Sequence, residues 1–233
     1  MSDSRDPKVK RNIRITVALA LTFALLTIAG LANKLSQPRI LNQYELRDYG
    51  AYMLEPPKAI NSIALIDHKQ QPFTEAYFTG SWTLVFFGFS NCADVCPTAM
   101  ATLAKMYQEL KPKEQADLNV VLITVDPERD TPEVLAKYVA GYNPDFIGVT
   151  GDIHRIKQLA LQWNTGFEAA QGANTKESAE SGSEQTNNAE NYQVEHSGNL
   201  LLLNPKGELH AFIRPPLEHG GLRVLWRSIR KTY

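Results

Sequence analysis

The sequence predicts an α/β sandwich carried behind a single membrane-spanning helix. Three observations predict it. An uncharged apolar run from Ile15 to Ala32 lies near the N-terminus. Beyond it, near-continuous apolar runs rich in β-branched and aromatic residues alternate with stretches of helical periodicity, the pattern of buried strands joined by helices. Two apolar runs around Pro205-Lys206-Gly207, then an amphipathic C-terminal stretch, read as a closing hairpin and helix.

The length of 233 residues suits one domain plus appendages. Lys and Arg number 24 against 25 Asp and Glu, a net charge of −1. A nucleic-acid binder needs a basic face against phosphates, so that class is set aside. With 43% hydrophobic and 21% charged residues the chain is too apolar to be wholly disordered. Two Cys exclude both a disulfide-stapled miniprotein and a zinc site of four Cys ligands.

The N-terminus sets the compartment. Lys8, Lys10, Arg11 and Arg14 precede the apolar run and Lys34 alone follows it closely. The positive-inside rule makes residues 1–14 a cytoplasmic basic tail and residues 15–34 a transmembrane anchor, with the rest exported. A cleaved signal peptide ending near Gly30-Leu31-Ala32 is the alternative, but the run exceeds the usual apolar core of a signal. Asp3 and Asp6 speak against an acid-poor mitochondrial presequence. The expected location is therefore a bacterial inner membrane with the domain in the periplasm. The alternative is a mitochondrial inner membrane with the domain facing the intermembrane space. Both spaces are oxidising.

Residues 35–58 read as a polar linker closed by Pro56-Pro57, and residues 59–233 as the domain. Ile60–Asp67 alternates weakly, as an edge strand does. Trp82–Phe89 is a strand buried on both faces. A helix follows over Thr98–Leu110, where Leu103, Met106, Tyr107 and Leu110 recur at helical spacing. Leu118–Val125 is a second core strand. Thr131-Pro132 opens a helix with an N-cap and a Pro at its first position. Phe146–Val149 is a short strand, and Asp152 caps a helix reaching about Trp163. Residues 168–191 hold no aromatic, Leu, Ile or Val and read as a flexible acidic insertion, unable to bury enough apolar area to offset ordering. Asn199–Leu203 and Leu209–Ile213 form the hairpin and Leu217–Tyr233 the last helix. Alternation with a closing hairpin and helix indicates a thioredoxin-like sandwich, a central mixed sheet flanked by helices.

The chemistry lies at the first strand-to-helix turn. Cys92 and Cys96 are spaced C-x-x-x-C directly after the core strand. A helix N-terminus carries positive partial charge and free N–H groups that favour a thiolate. The thiolate is both the nucleophile of disulfide exchange and the metal-binding form. Spaced i, i+4, the two sulfurs can close a disulfide or converge on one ion. Two inert buried cysteines or a static disulfide are the plainer readings. The intervening loop, with Asn91 and Asp94 beside the pair, favours the functional one. Two thiolates leave most metal sites incomplete, so the five His are the candidates for a third ligand. His68 sits in a polar loop and reads as solvated. His154 opens a helix, His219 lies near the start of the last one, and His210 is a strand-face residue. His196 stands between the insertion and a core strand, where an isolated histidine is either a structural or exposed group or a ligand.

Three segments together resemble the Sco/SenC/PrrC family. They are Phe86-Phe87-Gly88-Phe89-Ser90-Asn91-Cys92-Ala93-Asp94-Val95-Cys96-Pro97, Val125-Asp126-Pro127-Glu128-Arg129-Asp130-Thr131-Pro132 and Tyr192-Gln193-Val194-Glu195-His196-Ser197. The likeness covers about residues 55–233, with the anchor in the expected place. It implies a membrane-anchored copper protein of thioredoxin-like fold that helps assemble the CuA centre of cytochrome c oxidase. It further implies one copper, as Cu(I) or Cu(II), on Cys92, Cys96 and His196, with oxidase subunit II as partner beside other copper carriers or thiol–disulfide reductants. Two thiolates and an imidazole suit copper, whereas zinc wants a fourth ligand. Asp94 and Asp126 are candidate outer groups around the metal, groups that orient a partner, or solvated loop carboxylates. Ala93 replaces a Pro usual in the family's C-P-D-V-C, and the loop before the histidine is longer than usual. Three functions are expected in order: a metallochaperone with no certain catalytic residue; a thiol–disulfide reductase using Cys92 and Cys96; and, more weakly, a peroxidase-like or redox-sensing domain, whose cysteine loop lacks the supporting Arg.

Overall fold

A computed structural model describes residues 7–35, 40–165, 167–169, 194–196 and 198–233. The chain divides into two compact units, Met1–Ile40 and Leu41–Tyr233. Among the described residues the first holds one helix, α1 (Pro7–Leu35). Its segment Arg11–Lys34 spans 24 residues and is long and apolar enough to cross a membrane. The hydroxyls of Thr16, Thr22 and Thr27 donate to the carbonyls of Asn12, Leu19 and Ala24, so the segment's three threonine hydroxyls are satisfied within the helix.

The second unit begins with α2 (Gln43–Asp48) and β1 (Ala51–Ala59). Then come β2 (Leu65–Asp67), β3 (Pro72–Phe73), a 3-10 turn at Glu75–Phe78, and β4 (Trp82–Gly88). Helices α3 (Val95–Gln108) and α4 (Pro112–Ala116) lead to β5 (Leu118–Thr124). Helix α5 (Pro132–Ala140), β6 (Ile147–Thr150) and α6 (Ile153–Gln162) follow. The chain ends with β7 (Phe167–Ala169), β8 (Val194–His196), β9 (Leu200–Leu203), β10 (Glu208–Ile213) and α7 (His219–Thr232).

The main sheet runs β1-β10-β9-β4-β5-β6-β2-β3, and β7 and β8 form a separate two-stranded sheet. β4, β5 and β6 are parallel, while β9 runs antiparallel to β4. All seven residues of β4 are buried, as a run apolar except for Thr83 suits in a central strand. The mixed sheet flanked by helices is the expected sandwich. Thr131 and Asp152 cap α5 and α6 as expected, accepting from Val134 N–H and from His154 and Arg155 N–H. α7 packs beside α3 and is tied down by Arg223–Glu109, Arg227–Glu114 and Arg230–Asp117 ion pairs.

Several expectations are corrected. Residues 35–58 are not a linker throughout: residues 41–58 belong to the domain. Asn42 and Glu45 form a capping box that starts α2, and Leu41, Leu46 and Ala51 are buried. β1 pairs antiparallel with β10, with a register shift between Met53 and Lys58 around the two prolines. An edge strand tolerates them because one side of its backbone needs no ladder bond. The strand expected over Ile60–Asp67 shrinks to Leu65–Asp67, which lies between β6 and β3 rather than at the edge. Helix α3 starts at Val95, three residues before Thr98, and so contains Cys96. Glu168 and Ala169, assigned to the insertion, end β7, because they continue a ladder that begins at Phe167↔His196. The rest of that insertion, residues 170–191, lies outside the described residues.

Candidate metal centre

The cysteine loop is set by what surrounds it. β4 ends at Gly88, where any Cβ would come within 2.6 Å of Phe86 Cε1 and 3.1 Å of Cys96 Sγ. The space a side chain at Gly88 would need is taken first by the Phe86 ring and then by the Cys96 sulfur. Cys96 is fully buried in the first turn of α3, and Cys92 is half-buried in the loop before it. Both are free thiols. The Cys96 N–H donates to Cys92 Sγ at 3.4 Å, so the open end of α3 points at the first sulfur.

The surroundings move the pKa values of the two thiols in opposite directions. Burial acts to raise the Cys92 pKa. The N–H groups of Cys96 and Asp94, the Cys96 thiol and the Val95 N–H outweigh it and bring the pKa below the ordinary thiol value. Burial pushes the Cys96 thiol up strongly. The Phe89 backbone opposes this, while Cys92 and the charge of Asp130 reinforce it. Tyr138 of α5 carries a phenol whose pKa is raised by burial first, then by Tyr142 and the charges of Cys96 and Cys92. That places it in electrostatic range of the pair.

The other candidates separate. Asp94 is exposed at the N-cap of α3 without a side-chain cap bond. Asp126 is only 2% exposed and pairs with Arg129, whose guanidinium also lies over the Phe89 ring. A solvated loop carboxylate is therefore the wrong description of Asp126. His196 is the last residue of β8, opposite Phe167; its side chain lies outside the described residues. Two residues on, the buried Gly198 reaches the cysteine loop: a Cβ there would lie 3.3 Å from Val95 Cγ1. Among the described residues no cluster of three His, Cys, Asp or Glu is assembled. His68 is half-buried and tied down rather than simply solvated: its Nδ1 accepts the Gly148 N–H at 3.0 Å, and its own N–H donates to the Gly148 carbonyl. His210 is a strand-face residue stacked edge-on with Trp82 and Tyr233. His154 is exposed, and His219 pairs with Glu109.

Residue types alone missed three contributors. Gly88 and Gly198 leave space that no periodicity reveals. Asp130, fully buried, accepts from the Ser90 N–H, the Ser90 hydroxyl and the Thr124 hydroxyl. Its signal in the sequence is its place in the Val125–Pro132 segment, four residues after Asp126.

Comparison with known proteins agrees with this geometry. The SCO1/SenC family model matches residues 53–222, which include both cysteines and His196. A Stutzerimonas stutzeri protein, named as a candidate copper-binding protein, is 35% identical over 187 residues, covering 79% of this chain and 84% of its own. Mitochondrial SCO2 of Saccharomyces cerevisiae is 30% identical over 216 residues, covering 90% of this chain and 66% of its own. The copper-bound crystal structure of yeast Sco1 superposes with a TM-score of 0.65 at 26% identity, covering 76% of this chain and 91% of that one. Copper-bound Arabidopsis thaliana ScoI gives a TM-score of 0.60 at 28% identity, covering 73% and 98%. The fold, the sulfur-bearing turn and these matches agree: the chain belongs to the SCO1/SenC family.

Proposed function

We propose that the protein is a membrane-anchored copper carrier acting in cytochrome c oxidase assembly. It takes one copper ion as cargo on Cys92, Cys96 and His196 and hands it to the CuA site of oxidase subunit II. The carrying observation is the pair of free thiols at the open end of α3, one with its pKa lowered and with a backbone N–H on its sulfur. Soft thiolates with an imidazole select copper over harder ions. The packing of Gly198 against Val95 supports the third ligand, because two extended residues span only about 7 Å. The copper-bound relatives support the metal. Helix α1 supports the anchor, and the basic residues before it support a periplasmic domain in a bacterial inner membrane. Ligands drawn from a loop, a helix start and a strand end favour exchange of the ion over permanent storage.

The contrast between the thiols favours a second activity. A Cys92 thiolate attacks a disulfide in the target, and one target sulfur leaves as a thiolate. Cys96 then resolves the mixed disulfide, giving a reduced target and an oxidised Cys92–Cys96 pair. A reduced thiol–disulfide partner must restore the dithiol.

One experiment tests both readings. Reduced protein is titrated with Cu(I) against a competing chelator and repeated with Cys92→Ala, Cys96→Ala and His196→Ala. The carrier reading expects tight one-to-one binding that each substitution weakens. It fails if the wild type binds no copper or the variants bind as well. Reductase activity kept by His196→Ala with copper binding lost assigns the reductase role to the thiols alone.

A further inference from the structure

Asp130 is a buried carboxylate in the loop between β5 and α5 with no cation paired to it among the described residues; neighbouring Arg129 pairs with Asp126 instead. A buried charge is costly unless donors surround it. Here the donors come from two strand ends. The Ser90 N–H, two residues past the end of β4, donates to Oδ2 at 3.0 Å and to Oδ1 at 3.3 Å, and the Ser90 hydroxyl donates to Oδ1. The Thr124 hydroxyl, at the end of β5, donates to Oδ2 at 2.6 Å while accepting the Asp126 N–H at 3.0 Å. The Asp130 N–H returns to the Asp126 carbonyl at 2.9 Å. Every ligand of the carboxylate is thus supplied by the base of the cysteine loop or the adjoining strand. Ser90 is followed by Asn91 and then Cys92, and the Cys92 N–H donates to the Phe89 carbonyl at 3.4 Å.

We propose that Asp130 is a positioning residue for metal capture: acting through Ser90, it holds the Ser90–Cys92 segment in the conformation that presents the Cys92 sulfur to the α3 N-terminus. An amide at this position offers a donor where Ser90 already supplies donors, so Asn cannot reproduce the arrangement. Removing the Ser90 hydroxyl leaves the carboxylate buried but deletes one of its two ties to the loop. The proposal rests on the copper reading above and adds to it the residue that shapes the sulfur pair.

The test uses the full chain and the variants Ser90→Ala, Ser90→Thr and Asp130→Asn. Three measurements are made: Cu(I) affinity by chelator competition, the sulfur-to-copper charge-transfer spectrum of the Cu(II) form, and the alkylation rate of Cys92 in the metal-free protein. Ser90→Ala and Asp130→Asn are expected to weaken copper binding by about tenfold or more, as loss of an outer-sphere support does. Both should shift the charge-transfer bands and change the Cys92 alkylation rate. Ser90→Thr, which keeps the hydroxyl, should restore all three. Unchanged spectrum, affinity and alkylation in Ser90→Ala overturn the proposal, even if melting falls, because a purely structural tie lowers stability alone. If Asp130→Asn does not fold, Ser90→Ala carries the test. If the wild type binds no copper, the carrier reading fails, and the alkylation rates still decide whether Asp130 positions Cys92.

Discussion

Gly198 lies against Val95, joining the segment after β8 to the turn that carries the cysteines. Its φ is +63°, and a Cβ would stand 3.3 Å from Val95 Cγ1 and 3.5 Å from Pro215 Cγ. The left-handed backbone favours glycine, and a Cβ would press lightly on Val95 while meeting Pro215 at ordinary contact distance. Gly198→Ala should cost about 1 to 2 kcal/mol from the left-handed conformation alone and weaken copper binding by displacing Val95. Gly198→Asn should fold better, because Asn tolerates that conformation. Chemical denaturation alongside Cu(I) competition checks both. Equal stability of Gly198→Ala and wild type would contradict the packing account.

Gly88 makes a second, sharper case. The Phe86 ring, which a Cβ would overlap at 2.6 Å, is fully buried and cannot swing away. Gly88→Ala should destabilise the domain by about 1 to 3 kcal/mol, the usual cost of overpacking. It should also move the Cys96 sulfur. The charge-transfer spectrum of the Cu(II) form should then differ from wild type, whereas an overpacking mutation remote from the site would leave it alone.

The two cysteines should react in order. Cys92 is half-buried with a lowered pKa, while Cys96 is fully buried with a raised one. An unperturbed thiol titrates near about 8.5. Iodoacetamide should therefore label Cys92 first, with a pH midpoint lower than that of the Cys92 thiol in the unfolded protein. Cys96 should stay unlabelled until the protein unfolds. Mass spectrometry of the reduced protein over a pH series reads this directly, and simultaneous labelling of both would refute it.

Arg227 meets Glu114 in a bidentate pair, with Nε and an NH2 group 2.7 and 2.6 Å from the two carboxylate oxygens. The Arg227 bond is the largest cause of the lowered Glu114 pKa. A lowered carboxylate pKa contributes stability above the unfolded value, about 4.3, and that stability is lost as pH falls through the folded value. Arg227→Met should cost about 1 to 2 kcal/mol at neutral pH. The difference from wild type should shrink toward zero in acid. Urea melts at a series of pH values give the comparison.

The α2–β1 segment predicts where the domain can be cut. A fragment of residues 41–233 retains Leu41 and Leu46, and also β1 against β10. A fragment of residues 59–233 loses them, at about 3 to 5 kcal/mol for the two leucines alone. It should melt well below the longer fragment. Calorimetry of the pair tests whether residues 41–58 are structural.

The residues most visible without a structure were those whose signal is local. Trp82–Phe89 and Leu118–Val125 are nearly continuous apolar runs, broken only by Thr83 and by Asn119 and Thr124, and a strand covered on both faces accommodates that. Thr131-Pro132 and Asp152 are caps whose chemistry is complete within a few residues. Cys92 and Cys96 stood out because a short spacing after a strand is itself a geometry. β1 was missed because Pro56-Pro57 argues against a strand wherever the edge position is unknown. His68 was misjudged because its partner, Gly148, is 80 residues away.

Composition and periodicity alone were enough to establish an anchor-length apolar helix, an α/β domain behind it and a thiol pair at a strand-to-helix turn, since each depends on neighbours along the chain. Only the tertiary structure decided that Asp130 is buried beneath Ser90, that Gly88 yields its space to Phe86 and Cys96, and that the chain beyond His196 returns to Val95. Those contacts join residues 8 positions apart for Gly88 and Cys96, 40 for Ser90 and Asp130, and 103 for Val95 and Gly198. Their energies come from packing and desolvation, which no linear pattern encodes.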